Sequence, residues 1–222
     1  MKSIIVFLFI LSSSTSFGAR LNIDFKALYH SSTLNAVHTN GSKGELVTKA
    51  SFDPALSVGF QFAARWKIFA SFKNITSNFD NTKDVIAEET NFSTNSQSLG
   101  LQWIFLKSVA FRLLYTSEEI FGFVVDTSDK AVLFKESISY PTFFYDQILY
   151  MNSSFYLGFQ LGVDVPVSGQ TLKNRSGTRL GVFYKTGGFG LSAELNGHKV
   201  EVDDWEYEAQ ARIYELSYSL SF

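Results

Sequence analysis

The sequence predicts an all-β protein: a single closed antiparallel β-barrel that crosses a membrane, with about ten strands, and with eight or twelve left open. Three observations predict it. Apolar residues recur with period 2 through most of the chain. The polar connections between these runs alternate between very short and long. Aromatic content is 16%, mostly Phe (23) and Tyr (10), while Pro is held to 3 and there is no Cys. An exported soluble domain often relies on disulfides, whereas a barrel closed by its own hydrogen-bond ladder needs none. Mean hydropathy is only +0.05. That excludes a bundle of helical spans and suits strands that meet lipid at every second residue. The net charge of −2 argues against nucleic acid as a partner.

The N-terminus reads as a leader. Met1-Lys2-Ser3 is a basic start, Ile4 to Leu11 is unbroken apolar sequence, and Ser16 and Gly18 are small residues before a cut. The expectation is a signal peptide over 1–18 and one barrel domain over 19–222. The apolar run is too short to span a bilayer as a helix, which takes about 20 residues.

Ten segments then alternate. The first, 21–30, turns Leu21, Ile23, Phe25, Ala27 and Tyr29 outward, with Asn22, Asp24 and Lys26 inward. The second, 52–63, points Phe52, Pro54, Leu56, Val58, Phe60 and Phe62 outward. The third, 66–75, uses Trp66, Ile68, Ala70 and Phe72. The fourth, 97–106, uses Leu99, Leu101, Trp103 and Phe105, and the fifth, 109–117, Val109, Phe111, Leu113 and Tyr115. The sixth, 134–145, is fainter, and Ile138, Tyr140, Thr142 and Phe144 form its expected outer set. The seventh is clear: Phe155 to Val165 alternate with Tyr156, Gly158, Gln160, Gly162 and Asp164. Segments 178–185, 189–198 and 209–222 complete the set. Most are roughly the 9–11 residues that a tilted strand needs to cross a membrane.

Ala64-Arg65, Lys107-Ser108 and Thr186-Gly187-Gly188 read as tight turns, with a longer fourth near 146–153. Between them lie polar stretches at 31–49, 76–96, 118–133, 168–177 and 200–207, expected to be long loops. Every short turn then falls at one end of the barrel and every long loop at the other. Phe62, Trp66, Phe105, Phe189 and Phe222 lie at the turn end, and Tyr29, Phe52 and Tyr115 lie toward the loop end. Amphipathic rings favour the water–lipid boundary, so these predict two aromatic girdles.

The last eleven residues carry a resemblance. Tyr214, Leu216, Tyr218, Leu220 and Phe222 share one face, and Ile213, Glu215, Ser217, Ser219 and Ser221 the other. This resembles the final strand of bacterial outer-membrane β-barrel proteins, which typically ends in Phe as an assembly signal. The resemblance implies a place in the bacterial outer membrane, with the termini and short turns in the periplasm and the loops outside. It implies outer-membrane lipid and lipopolysaccharide as surroundings. It also implies the assembly machinery as a partner that reads Phe222.

The inward phase carries Asp24, Lys26, Asp53, Lys67, Lys73, Arg112, Lys135, Asp164, Arg179, Lys185, Glu194 and Glu215. Charges withdrawn from bulk water need partners. Lys26 and Glu215 are expected to meet where the first and last strands close the ring, and Arg179 and Glu194 lie on adjacent strands. With Arg112, these are the candidate lumen residues. The loops are acidic, and Asp203-Asp204-Trp205-Glu206 is the densest run. A solvated surface explains it, with divalent-cation bridging to an anionic leaflet as the alternative.

Three roles compete. A structural or surface-interaction barrel has a filled lumen, and a narrow pore for small solutes has an open one. A rim hydrolase has His30 or His198 beside a carboxylate as general base. Omptin proteases are similar barrels with a rim site, but their Asp-x-His pair has no counterpart here, since Asn196 stands two residues before His198. Neither a phosphate-cradling glycine loop nor a Cys/His metal spacing is present, so neither cofactor nor metal is expected. A soluble lipocalin-like barrel would instead turn its continuous apolar faces inward.

Overall fold

The computed structural model describes residues 19–222 apart from 40, 42, 81–85, 88–90, 126–129 and 203, with backbone alone at 80, 86, 87, 121–125 and 130–133. The leader expected over 1–18 lies outside the described residues, as does Asp203 of the acidic run. Twelve strand segments are described: β1 (Arg20–His38), β2 (Lys43–Lys49), β3 (Ser51–Ala63), β4 (Trp66–Asp80), β5 (Ile86–Ala87), β6 (Asn91–Leu106), β7 (Val109–Val125), β8 (Lys130–Met151), β9 (Phe155–Val167), β10 (Lys173–Thr186), β11 (Phe189–Val202) and β12 (Trp205–Ser221).

They form a ring. Sequential neighbours pair antiparallel, and β12 returns to β1 in unbroken register from Asn22↔Ser221 to His38↔Trp205. β2 and β3 are one stave interrupted at Ala50, since both lie between β1 and β4. β5 stands off the ring and pairs parallel with β8. The described barrel therefore has ten staves, matching the ten alternating segments in the sequence.

Most staves keep one pleat phase, the β2–β3 stave and β9 excepted, and change polarity partway up. β12 shows it best. From Phe222 to Tyr214 the outer residues are apolar and the inner ones are Ser221, Ser219, Ser217 and Glu215. From Arg212 upward the outer residues become Arg212, Gln210, Glu208 and Glu206, while Ala209, Tyr207 and Trp205 turn inward. β6 inverts likewise: Leu101 and Leu99 face out, then Gln97, Asn95, Ser93 and Asn91, while Phe92 is buried. The barrel thus has two storeys. The lower has a lipid-facing apolar exterior and a polar lumen. The upper, a collar, has a polar exterior and an apolar core of Leu34, Leu46, Phe79, Ile138, Leu172 and Tyr207 among others. The lower storey suits hydrocarbon and the collar suits water.

Aromatic rings mark the edges of the lower storey. Trp66, Trp103, Phe111, Tyr145 and Phe159 follow one another across five staves at 5.7–6.1 Å centroid spacing. At the upper edge Tyr29 lies 4.8 Å from Phe52 and 6.2 Å from Tyr214. Ring placement at both water–hydrocarbon boundaries is the girdle pattern.

Two expectations are corrected. The sixth segment has the opposite phase: Ile138, Tyr140, Thr142 and Phe144 are buried inside, and Phe143 is 57% exposed on the outside. Lys135 shares the outward phase of β8 and is exposed. Ile138 and Tyr140 belong to the collar core, so their apolar character signals the interior rather than lipid. Much of the expected long loops is also strand. The stretch 31–49 is mostly the β1–β2 hairpin, and 118–133, 168–177 and 200–207 extend β7, β8, β10, β11 and β12. Those stretches look polar because their outer faces meet water.

The inversion has a measurable consequence on one face of one strand. Leu216→Arg, facing lipid, is expected to cost about 2–4 kcal/mol of folding stability in bilayers, the figure for a cation near the midplane. Gln210→Arg, outward on the same strand but above Tyr214, is expected to change it by less than about 0.5 kcal/mol. Urea titrations in lipid vesicles check this, and equal costs would refute the two-storey assignment.

Candidate functional site

The charged side chains converge where the polar lumen meets the collar core. β10 supplies Arg175 and Arg179, β9 Asp164, β7 Glu118 and β8 Tyr140 and Thr142. Arg175, 2% exposed, donates from NH1 to Asp164 Oδ2 at 2.8 Å and from NH2 to Glu118 Oε1 at 3.1 Å. Its guanidinium stacks 3.6 Å above the Tyr140 ring. Tyr140 donates its hydroxyl to Glu118 at 2.6 Å, and Thr142 donates to Asp164 Oδ1 at 2.6 Å. Arg179 donates to Asp164 at 3.3 Å and to the Tyr140 hydroxyl at 2.9 Å. These groups form a floor beneath the collar. Arg175, Gly177 and Arg179 share the inward phase of β10, and the register shift opposite Arg175 and Gly177 places an extra residue on β9.

The network continues downward. Arg179 NH1 lies 4.0 Å from Glu194, and Gln160 donates to the other oxygen of Glu194. Arg112 donates to Gln160 at 2.8 Å and grips Asp146 through two parallel bonds of 2.6 and 2.7 Å. Paired bonds of this kind are among the stronger polar contacts. At the ring seam Lys26 Nζ stands 3.0 Å from Glu215. The five candidate lumen residues thus all lie inside. Lys26 pairs with Glu215, Arg112 and Arg179 join one network, and Glu194 is the acid between them.

Three members of the network escaped sequence reading. Asp146 was hidden by the inverted phase of the sixth segment. Arg175 sits in a stretch that reads as loop. Glu118 was legible: Arg112, Leu114, Thr116, Glu118 and Ile120 continue one period-2 series straight into the expected loop.

The two rim histidines diverge. His30 is buried, with Nε2 2.6 Å from Asp53 Oδ2 and 2.8 Å from Ser51 Oγ. Ser51 Oγ also lies 2.7 Å from the Thr76 carbonyl. This cluster ties β1, β3 and β4 together beside the break at Ala50. A catalytic relay places nucleophile and acid on opposite ring nitrogens, whereas here both face Nε2. His198 lies in the collar among Arg175, Arg179, Glu118 and Asp164. Burial, and next the nearby Arg175, push its pKa down to about 4.

Glu136 closes the collar from above. Its carboxylate accepts the backbone N–H groups of Gln170, Thr171 and Leu172, which seats Leu172 in the collar core. Burial acts to raise its pKa, but the three N–H groups together outweigh this and hold it below the ordinary carboxylate range. No cluster of three or more His, Cys, Asp or Glu suited to a metal ion occurs among the described residues. Glu118 of the acidic stretches is a buried ion-pair partner rather than a surface ligand.

No family model and no curated protein matches the chain. Solved structures do. The outer membrane protease OmpT from Escherichia coli is similar at TM-score 0.52 and 11% identity, over 92% of this chain and 96% of that one. The translocator domain of the autotransporter NalP from Neisseria meningitidis aligns at TM-score 0.47 and 11% identity, over 95% and 92%. Ail, the attachment invasion locus protein of Yersinia pestis, aligns at 0.41 and 11%, over 91% and 99%. The likeness to OmpT shows the fold, a closed antiparallel β-barrel.

Arg175→Met removes the buried cation that Asp164 and Glu118 share, leaving Arg179 at 3.3 Å as the remaining ion-pair partner of Asp164, and is expected to cost about 3–5 kcal/mol. Lys199→Met, at the exposed pair with Glu206, is expected to cost less than about 1 kcal/mol. Denaturant midpoints compare the two. A second outcome concerns acid. The unfolded chain protonates His198 near about 6.5, and the folded chain only near about 4. In that window the unfolded state holds the extra proton, so stability falls as pH drops from the upper value to the lower. His198→Asn is expected to flatten this part of the stability–pH curve.

Proposed function

We propose that this protein is a closed outer-membrane barrel with a surface-interaction role, in which a stiff, water-exposed collar is the working part. The observation that carries the reading is the apolar core inside the collar. Leu34, Leu46, Ile138, Leu172, Val200 and Tyr207 meet across the lumen, each at most 4% exposed. Beneath them lies the Arg175–Asp164–Glu118 floor. An aqueous path would have to cross both layers, and a packed core leaves no room for water. A ten-stave barrel lies near the size at which side chains fill the interior. On this reading the polar outer faces of the collar, such as Arg212, Gln210, Glu208 and Glu206 on β12, present the surface that a partner meets. Lipopolysaccharide surrounds its base. The assembly machinery takes up the C-terminal strand at Phe222, whose ring is 70% exposed on the lipid side.

The hydrolase reading has one observation in its favour, the 2.6 Å His30–Asp53 contact. At 3% and 7% exposure the pair gives water and substrate no entry. With Ser51 on the same nitrogen, we read the cluster as a stitch across the interrupted stave.

Single-channel recording on lipid-reconstituted protein tests the proposal, after a heat-dependent gel shift confirms folding. Silence is the expected result. Steady ohmic steps would overturn the closed-barrel reading.

A further inference from the structure

Below the floor, the lower storey encloses a cavity of about 500 Å³ that reaches from the periplasmic turn at Lys107 and Ser108 up to Lys73 and Arg179. Its charge is lopsided. Seven cationic side chains and four carboxylates line it, a net formal charge of +3. The carboxylates are already engaged. Glu215 holds Lys26, Asp146 holds Arg112, and Glu194 takes Gln160 and Arg179. Asp24 accepts Ser219 at 2.5 Å and Ser57 at 3.2 Å.

Four lysines remain, one of them Lys107 in the exposed turn at the mouth. Lys67, Lys73 and Lys185 have no carboxylate within 4.0 Å among the described residues. Asp24 is the main opposite charge acting on Lys67, beyond ion-pair distance, and Lys185, Lys26 and Arg112 repel it; Glu118 is the main opposite charge acting on Lys73. Its chain lies flat across Gly59, where a Cβ would collide with it. Gly190 likewise leaves room beside the Lys185 stem. Repelling ammonium groups in a confined space destabilise a fold that gains nothing from them. Three of the four lining carboxylates already hold a cation within 4.0 Å, so the surplus lysines stand out as a place for a countercharge that arrives from outside. The volume falls within the range of small-molecule sites.

We infer that this cavity is a binding site for a compact multivalent oxyanion, entering from the periplasm and held by Lys67, Lys185 and Lys73. Both phosphate-bearing and carboxylate-bearing solutes have this chemistry. The site is blind, since the floor and collar core close its outer end, so it captures its ligand rather than conducting it. Only this last point rests on the closed-barrel reading, which conductance tests separately.

The test is equilibrium dialysis of the full chain in detergent micelles, with pyrophosphate in one arm and citrate in the other. Saturable one-to-one binding of either is expected, weakening as salt rises. Binding of both assigns recognition to charge, and binding of one assigns it to the phosphate or the carboxylate source. Lys67→Gln/Lys185→Gln is expected to weaken binding at least tenfold, with the heat-dependent gel shift unchanged. Lys199→Gln, on the collar exterior, is expected to bind as the parent does. If the double variant fails to fold, Gly59→Ala serves instead: it displaces the Lys67 chain while keeping every charge, and a several-fold loss is expected. Absence of saturable binding in both arms overturns the site, as does undiminished binding by the lysine variant or, where it stands in, by Gly59→Ala.

Discussion

The staves of this barrel pass from hydrocarbon into water, and most keep one pleat phase on the way; the β2–β3 stave at Ala50 and β9 at its bulge are where it shifts. Successive side chains alternate between the two faces where no bulge or break intervenes, so on such a stave a residue that faces out in the membrane heads a series that faces out in the collar as well. The solvent changes and the geometry does not. The only remaining variable is residue type, and the chain inverts it. On β12 the inversion falls between Tyr214 and Arg212, and on β1 between Tyr29 and Ser31. What results is two proteins stacked in one ring: below, a barrel with an apolar skin, and above, a barrel with an apolar heart.

The inversion creates a problem at the boundary plane. A polar lumen below must meet an apolar core above, and the groups at the junction lie in neither bulk water nor a wholly dry interior. Arg175, Asp164, Glu118, Arg179 and Tyr140 resolve it by mutual satisfaction. Nearly every polar hydrogen and lone pair that faces the core has a partner, and the one guanidinium nitrogen left over, Arg175 Nε, lies against the Tyr140 ring. Fully connected networks stiffen a structure, whereas partly connected ones destabilise it. The floor therefore fixes the relative positions of β7, β8, β9 and β10, on which the shape of the collar depends.

Most of the lower storey was legible in the sequence, because lipid-facing alternation is a strong signal over nine residues. Phe155 to Val165 and Arg212 to Phe222 gave their phase without ambiguity. The collar was not legible, for a reason specific to the inversion. Reading apolar residues as outward is right below the boundary and wrong above it. Residues 134–145 straddle that boundary, with Phe143 facing lipid and Ile138 and Tyr140 facing the core, so either phase finds support. Leu34 and Ala36 carry the same ambiguity in a stretch that otherwise reads as loop. Of the lumen charges below the boundary, Lys26, Arg112 and Glu215 followed directly from strand phase, and Asp146 did not. Arg175 shares the phase of Arg179 but was missed because the stretch around it reads as loop.

The collar's water-loving skin also bears on how the molecule reaches its final position. On the proposed outer-membrane reading, Asn91, Ser93 and Asn95 on β6 and Glu206, Glu208, Gln210 and Arg212 on β12 end up outside, while the chain approaches from the periplasmic side. Each hairpin must carry that skin through the hydrocarbon before it emerges, and charged groups at that depth cost several kcal/mol apiece by the usual scales, about 2–4 for Arg or Lys. The barrier to unaided insertion thus lies in the half of the protein that never resides in the membrane. It rises with bilayer thickness and falls where the bilayer is locally thinned. A barrel with short loops would meet a low barrier of this kind, while here the barrier grows with the height of the collar.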